Sequence, residues 1–170
     1  MQPVLHTERL HMRPVTLDDG EAFHLIWGDP EVIWWGHRNS IDDTREFMRN
    51  LTAVSPLGRD DIGWWLLLDR ETGDVIGDAV LQPVPRLPLE IEIGWHLVRS
   101  HWGRGYATEA AGRLLEYAIG RPDLDVIIAD IAFTNNRSIS VAERLGMTPR
   151  PDPIERGGIP HGVWEIRAAV

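Results

Sequence analysis

The apolar residues of this chain change their period along its length, and each change marks an element. Around Leu10 and Met12 every second residue is apolar, so Thr7–Pro14 is expected as a strand closed by its proline. Thr16 and Asp19 stand at capping-box spacing, aspartate replacing the usual Glu or Gln, before a helix that buries Ala22, Phe23 and Ile26. Ser40 opens a second helix that runs through Phe47 to Leu51, with Asp42 and Asp43 at the positive end of its dipole. Gly63–Asp69 and Val75–Leu81 are apolar runs joined by Arg70–Asp74, where Gly73 frees the backbone, and they are expected as a hairpin. Leu89–Leu97 extends that meander by a third strand. Ala107–Ile119 carries Ala107, Ala110, Ala111, Leu114, Leu115 and Ala118 on one helical face. The β-branched run Val126–Phe133 suits a strand buried on both faces, Asn136–Leu145 a helix stopped by Gly146, and Gly162–Arg167 a last strand. Leu57–Ile62, Pro83–Pro88 and Pro149–Pro160 are expected as loops. Strand, two helices, three strands, helix, strand, helix, strand is the order of an α/β domain with a mixed, mostly antiparallel sheet flanked by helices.

With 170 residues, 43% of them apolar and 25% charged, the chain fits one domain, residues 1–170. It has no apolar run of membrane-spanning length. The opening MQPVLHTERLHMRP shows neither a signal-peptide core nor a cleavage site, so the chain is read as soluble and cytoplasmic. Zero cysteines exclude disulfides, thiolate metal sites and a cysteinyl intermediate. All seventeen cationic side chains are arginine, which rules out a lysine P-loop or Schiff base. The net charge of -9 argues against nucleic-acid binding and mildly favours a cationic partner. A homodimer is the common assembly for such a protein.

The segment Arg99-Ser100-His101-Trp102-Gly103-Arg104-Gly105-Tyr106-Ala107 lies between a strand and the strongest helix. Two glycines two residues apart let the backbone turn tightly and aim successive N–H groups at one point, where the helix N-terminus adds partial positive charge. A pyrophosphate would fit that cradle, and so would a tight turn with no ligand. Walker A needs a lysine, and the dinucleotide fingerprint needs glycine or alanine at Thr108. Neither fits.

The loop resembles the acyl-CoA-binding motif of the GNAT superfamily of N-acetyltransferases. Trp102-Gly103-Arg104-Gly105-Tyr106-Ala107-Thr108-Glu109-Ala110 is close to the form found in the RimJ/RimL-like branch, which acetylates the N-termini of ribosomal proteins. Glu92-Ile93-Gly94-Trp95 looks like the family's fourth strand, Asn135-Asn136-Arg137-Ser138 like its Asn-x-x-Ser helix start, and Leu145-Gly146-Met147 like that helix's exit. Thr7-Glu8-Arg9-Leu10 with Arg13-Pro14 resembles the opening of the same branch. The superfamily's Gln/Arg before the first glycine is Ser100 here, which shifts phosphate contacts to backbone amides and Arg104. The resemblance implies a GNAT-type acyl-CoA N-acyltransferase fold, acetyl-CoA as acyl donor, no metal, and a primary amine as acceptor, either a peptide N-terminus or a small molecule. The alternatives are a non-catalytic acyl-CoA-binding module and a phosphate-binding domain unrelated to CoA.

Attack on a thioester requires a neutral amine, donors for the oxyanion and a proton for the departing thiolate. By resemblance, the strand ending at Leu97 splays from its neighbour and frees backbone N–H groups near Leu97, Val98 and Arg99 for pantetheine and the thioester carbonyl. Gly103, Arg104, Gly105, Ala107 and Thr108 would hold the phosphates, with Tyr106 packing against the cofactor and Asn135 on pantetheine unless it only caps its helix. Strand alternation puts Glu90, Glu92, Gly94 and His96 on one face. Glu92 is the first candidate for the base and His96 the second, against the alternatives of a paired carboxylate and a hydrogen-bonded core histidine. Many relatives carry a tyrosine acid where this chain has Ala142, so Ser138 is the candidate for protonating sulfur. Trp34, Trp35 and His37 lie between the first two helices and are expected to shape the acceptor pocket. Of Trp64 and Trp65, neighbours in a strand, at least one must face the core.

Overall fold

The computed structural model describes residues 1–53, 59–84, 87–119, 121, 124 and 126–167. Strands β1 (Leu5–His6) and β2 (Leu10–Pro14) form a small hairpin, Leu5 opposite Met12. The expected strand over Thr7–Pro14 therefore begins only at Leu10. Thr7–Arg9 turns instead, with the Thr7 N–H donating to the Leu10 carbonyl and the Leu10 N–H to Thr7 Oγ1. A 3-10 turn, Leu17–Asp19, leads into helix α1 (Gly20–Trp27), and the Asp19 carboxylate accepts the Thr16 N–H at 2.8 Å as its spacing required. Helix α2 (Ile41–Ala53) starts with a reciprocal cap, Asp43 N–H to Ser40 Oγ and Ser40 N–H to Asp43 Oδ2.

Strands β3 (Trp64–Asp69), β4 (Val75–Val84) and β5 (Leu87–Leu97) form the expected antiparallel meander. Helix α3 (Tyr106–Ile119), strand β6 (Val126–Ala132) and helix α4 (Asn136–Arg144) follow. With β7 (Thr148–Pro149), β8 (Ile154–Arg156) and β9 (Ile159–Arg167), the described strands make one sheet in the order β1-β2-β3-β4-β5-β6-β9-β7, β8 pairing with β9, and β5 and β6 pair in parallel. The mixed, mostly antiparallel α/β architecture is the one expected.

Two expected loops are partly strand. Pro83 and Val84 belong to β4 and Leu87 and Pro88 to β5, because a register shift at Pro83/Val84 lets a proline sit in the ladder without donating to it. Residues 85 and 86 lie outside the described residues, as do Leu57 and Gly58 of the loop expected at Leu57–Ile62. In Pro149–Pro160 the chain forms β7 (Thr148–Pro149) and β8 (Ile154–Arg156), and β9 (Ile159–Arg167) starts three residues before Gly162. Gly157 and Gly158, with φ of 56° and 80°, make the two-residue β8–β9 turn that needs positive φ at both positions.

The sheet divides the interior. Ile91, Ile93 and Leu97 of β5 and fully buried Trp65 pack with Ala110, Leu114 and Ala118 of α3. On the other face Phe23, Ile26 and Trp27 of α1 and Met48 of α2 cover Leu66, with Trp64 at the margin. Trp64 and Trp65 thus face opposite ways, as adjacent strand residues must.

Candidate functional site

Strands β5 and β6 are in register only at Ile91–Ile127 and Glu92–Ile128. Beyond that point they diverge. The Val98 N–H donates to the Ile76 carbonyl and the Leu81 N–H, opposite Ile93, turns to the carbonyl of Gly63, just before β3. Antiparallel alternation then directs the backbone groups of Ile93, Trp95 and Leu97 away from β4 and into the gap. Val98, expected to offer an amide there, has spent it on β4. The Leu97 carbonyl accepts from Trp102 Nε1 at 2.9 Å.

A cleft of about 1840 Å³ runs through this gap. At one end are Gly103 and Gly105, with φ of 75° and 82°, and the start of α3, where Ala107 and Thr108 line the cleft. The loop is held from behind: Arg9 Nη1 donates to the Arg104 carbonyl, and Arg9 also pairs with Glu109, which accepts from Thr7 Oγ1 and the Arg9 N–H. Burial works against the Glu109 charge, yet the Thr7 and Arg9 bonds outweigh it and hold its carboxyl below the usual glutamate range. Tyr106 departs from expectation. Its ring is buried under Arg9, 4.2 Å from the guanidinium carbon, and its hydroxyl donates to Asp69. The side chain packs in the core because the first turn of α3 points that face at the sheet, so only its backbone belongs to the cradle. Arg99 is exposed, 3.6 Å from Asp29.

Helix α4 forms a second wall. Asn135 caps it, Oδ1 accepting the Ser138 N–H at 3.2 Å, and Ser138 is half-buried and faces the cleft. The expected cap role of Asn135 is present, and its amide nitrogen has no partner among the described residues. Arg137 lies 4.4 Å over the Trp102 ring, and with Arg144 it adds cationic lining that the sequence reading missed.

The floor is polar. Glu92, 13% exposed, accepts from Gln82 Nε2 at 3.2 Å and lies 3.8 Å from Arg156 Nη2. Burial raises its carboxyl above the ordinary glutamate value, against the opposing pull of Arg156 and Gln82. On one side, His96 Nδ1 lies 2.7 Å from Asp78 Oδ1, and fully buried Asp78 accepts Trp27 Nε1 on its other oxygen at 2.8 Å. On the other, His161 Nδ1 lies 2.6 Å from Asp130 Oδ1, and Arg156 Nε is 2.6 Å from Asp130 Oδ2 as an ion pair without hydrogen-bond alignment. Asp78, Asp130, Arg156 and His161 were not anticipated. An acid in the otherwise apolar Val75–Leu81 run was the available signal for Asp78; His161 carried none. Trp34 and Trp35 border the cleft with exposed rings, whereas His37, expected beside them, does not line it. Among the described residues no cluster of three or more acids and histidines is arranged to hold a metal, and no helix is long and apolar enough to cross a membrane.

A groove of open backbone amides ending at a helix N-terminus can hold an extended, phosphate-tipped ligand, with a carboxylate of raised proton affinity beside its middle. Comparison with known proteins identifies the family. The family model described as acetyltransferase (GNAT) domain matches residues 9–148. The chain is 32% identical over 146 residues to the uncharacterized protein YkkB of Bacillus subtilis, spanning 84% of each chain. It is 29% identical over 142 residues to an uncharacterized N-acetyltransferase, p20, of Bacillus licheniformis, spanning 83% of this chain and 80% of that one. Among solved structures, an acetyltransferase of Agrobacterium tumefaciens superposes with a TM-score of 0.77 at 29% identity, over 98% of this chain and 95% of the other.

Proposed function

The chain belongs to the GNAT acetyltransferase family, and from that premise we propose that it passes the acetyl group of acetyl-coenzyme A directly to a primary amine, the whole chain acting as one domain. The observation that carries this reading is the parting of β5 from β6 in front of the Gly103–Gly105 loop. A ligand with a thioester at one end, an amide-bearing arm and a pyrophosphate matches the three parts of that groove in order. The arm meets the amides of Ile93, Trp95 and Leu97; the pyrophosphate meets the amides from Gly103 to Thr108, with Arg104, Arg137 and Arg144 adding charge.

In the transfer, Glu92 takes a proton from the incoming ammonium, directly or through water, and the freed lone pair attacks the thioester carbonyl carbon. A β5 N–H steadies the oxyanion. When the C–S bond breaks, the sulfur leaves with the electron pair and Ser138 Oγ supplies its proton. The second proton, shed by the now cationic nitrogen, restores the Ser138 hydroxyl directly or through water. The products are an amide and free CoA. His96 is second in line for the base, its Nδ1 engaged by Asp78 and its other nitrogen left for the cleft.

For the acceptor, the resemblance of Trp102–Ala110 to the ribosomal-protein branch supports a protein N-terminus. RimL, solved as a complex with coenzyme A, shares the fold at 16% identity and a TM-score of 0.80, and a Vibrio cholerae spermidine N-acetyltransferase at 16% and 0.76. Fold likeness alone therefore leaves peptide and small-molecule amines equal. The test of the donor is thermal unfolding with acetyl-CoA, free CoA and ATP at equal concentration, since a ligand that binds only the native state raises its apparent stability. Both CoA species are expected to raise Tm and ATP is not. An equal shift from ATP, or none from any, would sink the reading.

A further inference from the structure

The acceptor side of the cleft is walled by aromatic rings. Trp27, Phe47 and Trp64 interlock at centroid distances of 4.5 to 6.3 Å, and the His96 ring is stacked on Trp64 at 6.1 Å. Trp35 leans over His96 at 5.8 Å, and Trp34 meets Trp35 edge-on at 5.5 Å. Trp34 and Trp35 keep 43% and 52% of their surfaces in water, flat faces that a ring-bearing ligand would cover.

Arg38 closes the same wall. Its guanidinium carbon lies 4.2 Å above Phe47 and 6.0 Å from Trp27, and its backbone N–H is fixed on the Trp27 carbonyl at 2.6 Å. Its Nε is buried without a hydrogen-bond partner, and the guanidinium has no carboxylate partner among the described residues. Both carboxylates nearer the floor are taken, Asp78 by Trp27 and His96, Asp130 by His161 and Arg156. The wall thus offers a free planar cation and aromatic faces, with Glu31 a single lining acid that no cation holds among the described residues, rather than the row of free acids a polyamine would need. A planar guanidinium fork matches a carboxylate.

We infer that the acceptor is a free amino acid with an aromatic side chain. Its ring lies in the well of Trp34, Trp35 and Trp64, its α-carboxylate pairs with Arg38, and its α-amine is turned to the Glu92–His96 floor. The inference rests on the acetyl transfer proposed above and narrows its acceptor. A protein N-terminus carries a neutral amide where the free amino acid carries a carboxylate, and leaves Arg38 unmet.

The test is the initial rate of acetyl-CoA-dependent CoA release with L-phenylalanine, L-tryptophan, phenethylamine, L-alanine and spermidine, for the wild type, Arg38→Gln and Trp35→Ala. The expected kcat/KM for L-phenylalanine or L-tryptophan exceeds that for phenethylamine by about 10- to 100-fold, the worth of one charge-assisted pair. Arg38→Gln brings the ratio of amino-acid to phenethylamine kcat/KM, both measured in that variant, down towards one, and Trp35→Ala lowers the aromatic amino acids towards L-alanine. Phenethylamine or spermidine matching the amino acids, or a lead that survives Arg38→Gln, overturns the inference. So does an absence of turnover with both aromatic amino acids when acetyl-CoA still raises Tm, an outcome that leaves the donor reading standing. Loss of the acetyl-CoA shift in the wild type removes both.

Discussion

Gly103 and Gly73 form a matched pair for testing the phosphate cradle. Their φ values are 75° and 77°, and a Cβ built on either would meet no atom within 4 Å. Alanine at either position therefore suffers only the left-handed backbone cost of about 1–2 kcal/mol, reduced by the ~0.4–1 kcal/mol that the stiffer unfolded chain returns. Each variant should lose about 1 kcal/mol and, in a chain of this size, roughly 2–4 °C in Tm. The two differ in place. Gly73 sits in the β3–β4 turn and Gly103 at the end of the cleft. A methyl at Gly103 would stand between a phosphate and the amides, and one lost charge-assisted bond is worth about 1.5–3 kcal/mol. With acetyl-CoA at a hundred times the wild-type Kd, the ligand adds about 2.7 kcal/mol; a tenfold weaker Kd halves that gain. Differential scanning fluorimetry with and without acetyl-CoA should find equal losses in the apo proteins and a ligand increment reduced only in Gly103→Ala. Equal ligand increments in the two variants would refute the cradle.

Other perturbations separate the remaining roles. Because burial raises the Glu92 carboxyl, the folded protein holds that proton to higher pH than the unfolded chain. Its contribution to stability is complete below the ordinary glutamate value of 4.5 and is lost as pH rises through the elevated folded value. Glu92→Gln should thus be more stable than wild type near pH 7, equal to it near pH 4, and lack the rise of rate with pH; an unchanged rate profile rejects the base role. Ser138→Ala should lower kcat about tenfold or more and leave acetyl-CoA affinity nearly intact, whereas equal losses in both would indicate a binding role. Asp78→Ala strands Trp27 Nε1 and His96 Nδ1 at about 1–3 kcal/mol each. Urea denaturation should show a loss of about 2–6 kcal/mol, and a loss under 1 kcal/mol would mean that water replaces the carboxylate.

The elements that could be read in advance were those whose pattern is local. The α3 stripe from Ala107 to Ala118, the Gly73 hairpin and the Thr16–Asp19 cap all depend on residues within a few positions of one another. The β8–β9 hairpin was hidden because four prolines around Gly157 and Gly158 read as loop, although the glycine pair is itself a hairpin signal. Glu92 was legible as an acid on an inward strand face. Its companions were not: Asp78 meets His96 across 18 residues and Asp130 meets His161 across 31, contacts made by strand pairing. Tyr106 was misjudged because its neighbours in sequence belong to the cradle while its own side chain follows the buried face of α3. Arg38 is one of seventeen arginines, and only its position over Phe47 distinguishes it.

The two rungs that join β5 to β6 also divide the sheet. On one side of them lie β1 to β5, on the other β6 to β9, each laced internally by longer antiparallel ladders. Across that short seam the two halves share the packing of α3, which lies behind both β5 and β6. Arg156 spans the seam from the β8–β9 hairpin, reaching Glu92 on one side and Asp130 on the other. The proton affinity of Glu92 is therefore set from both halves of the sheet: burial raises it, while Arg156 from the β8–β9 hairpin and Gln82 from β4 pull it back.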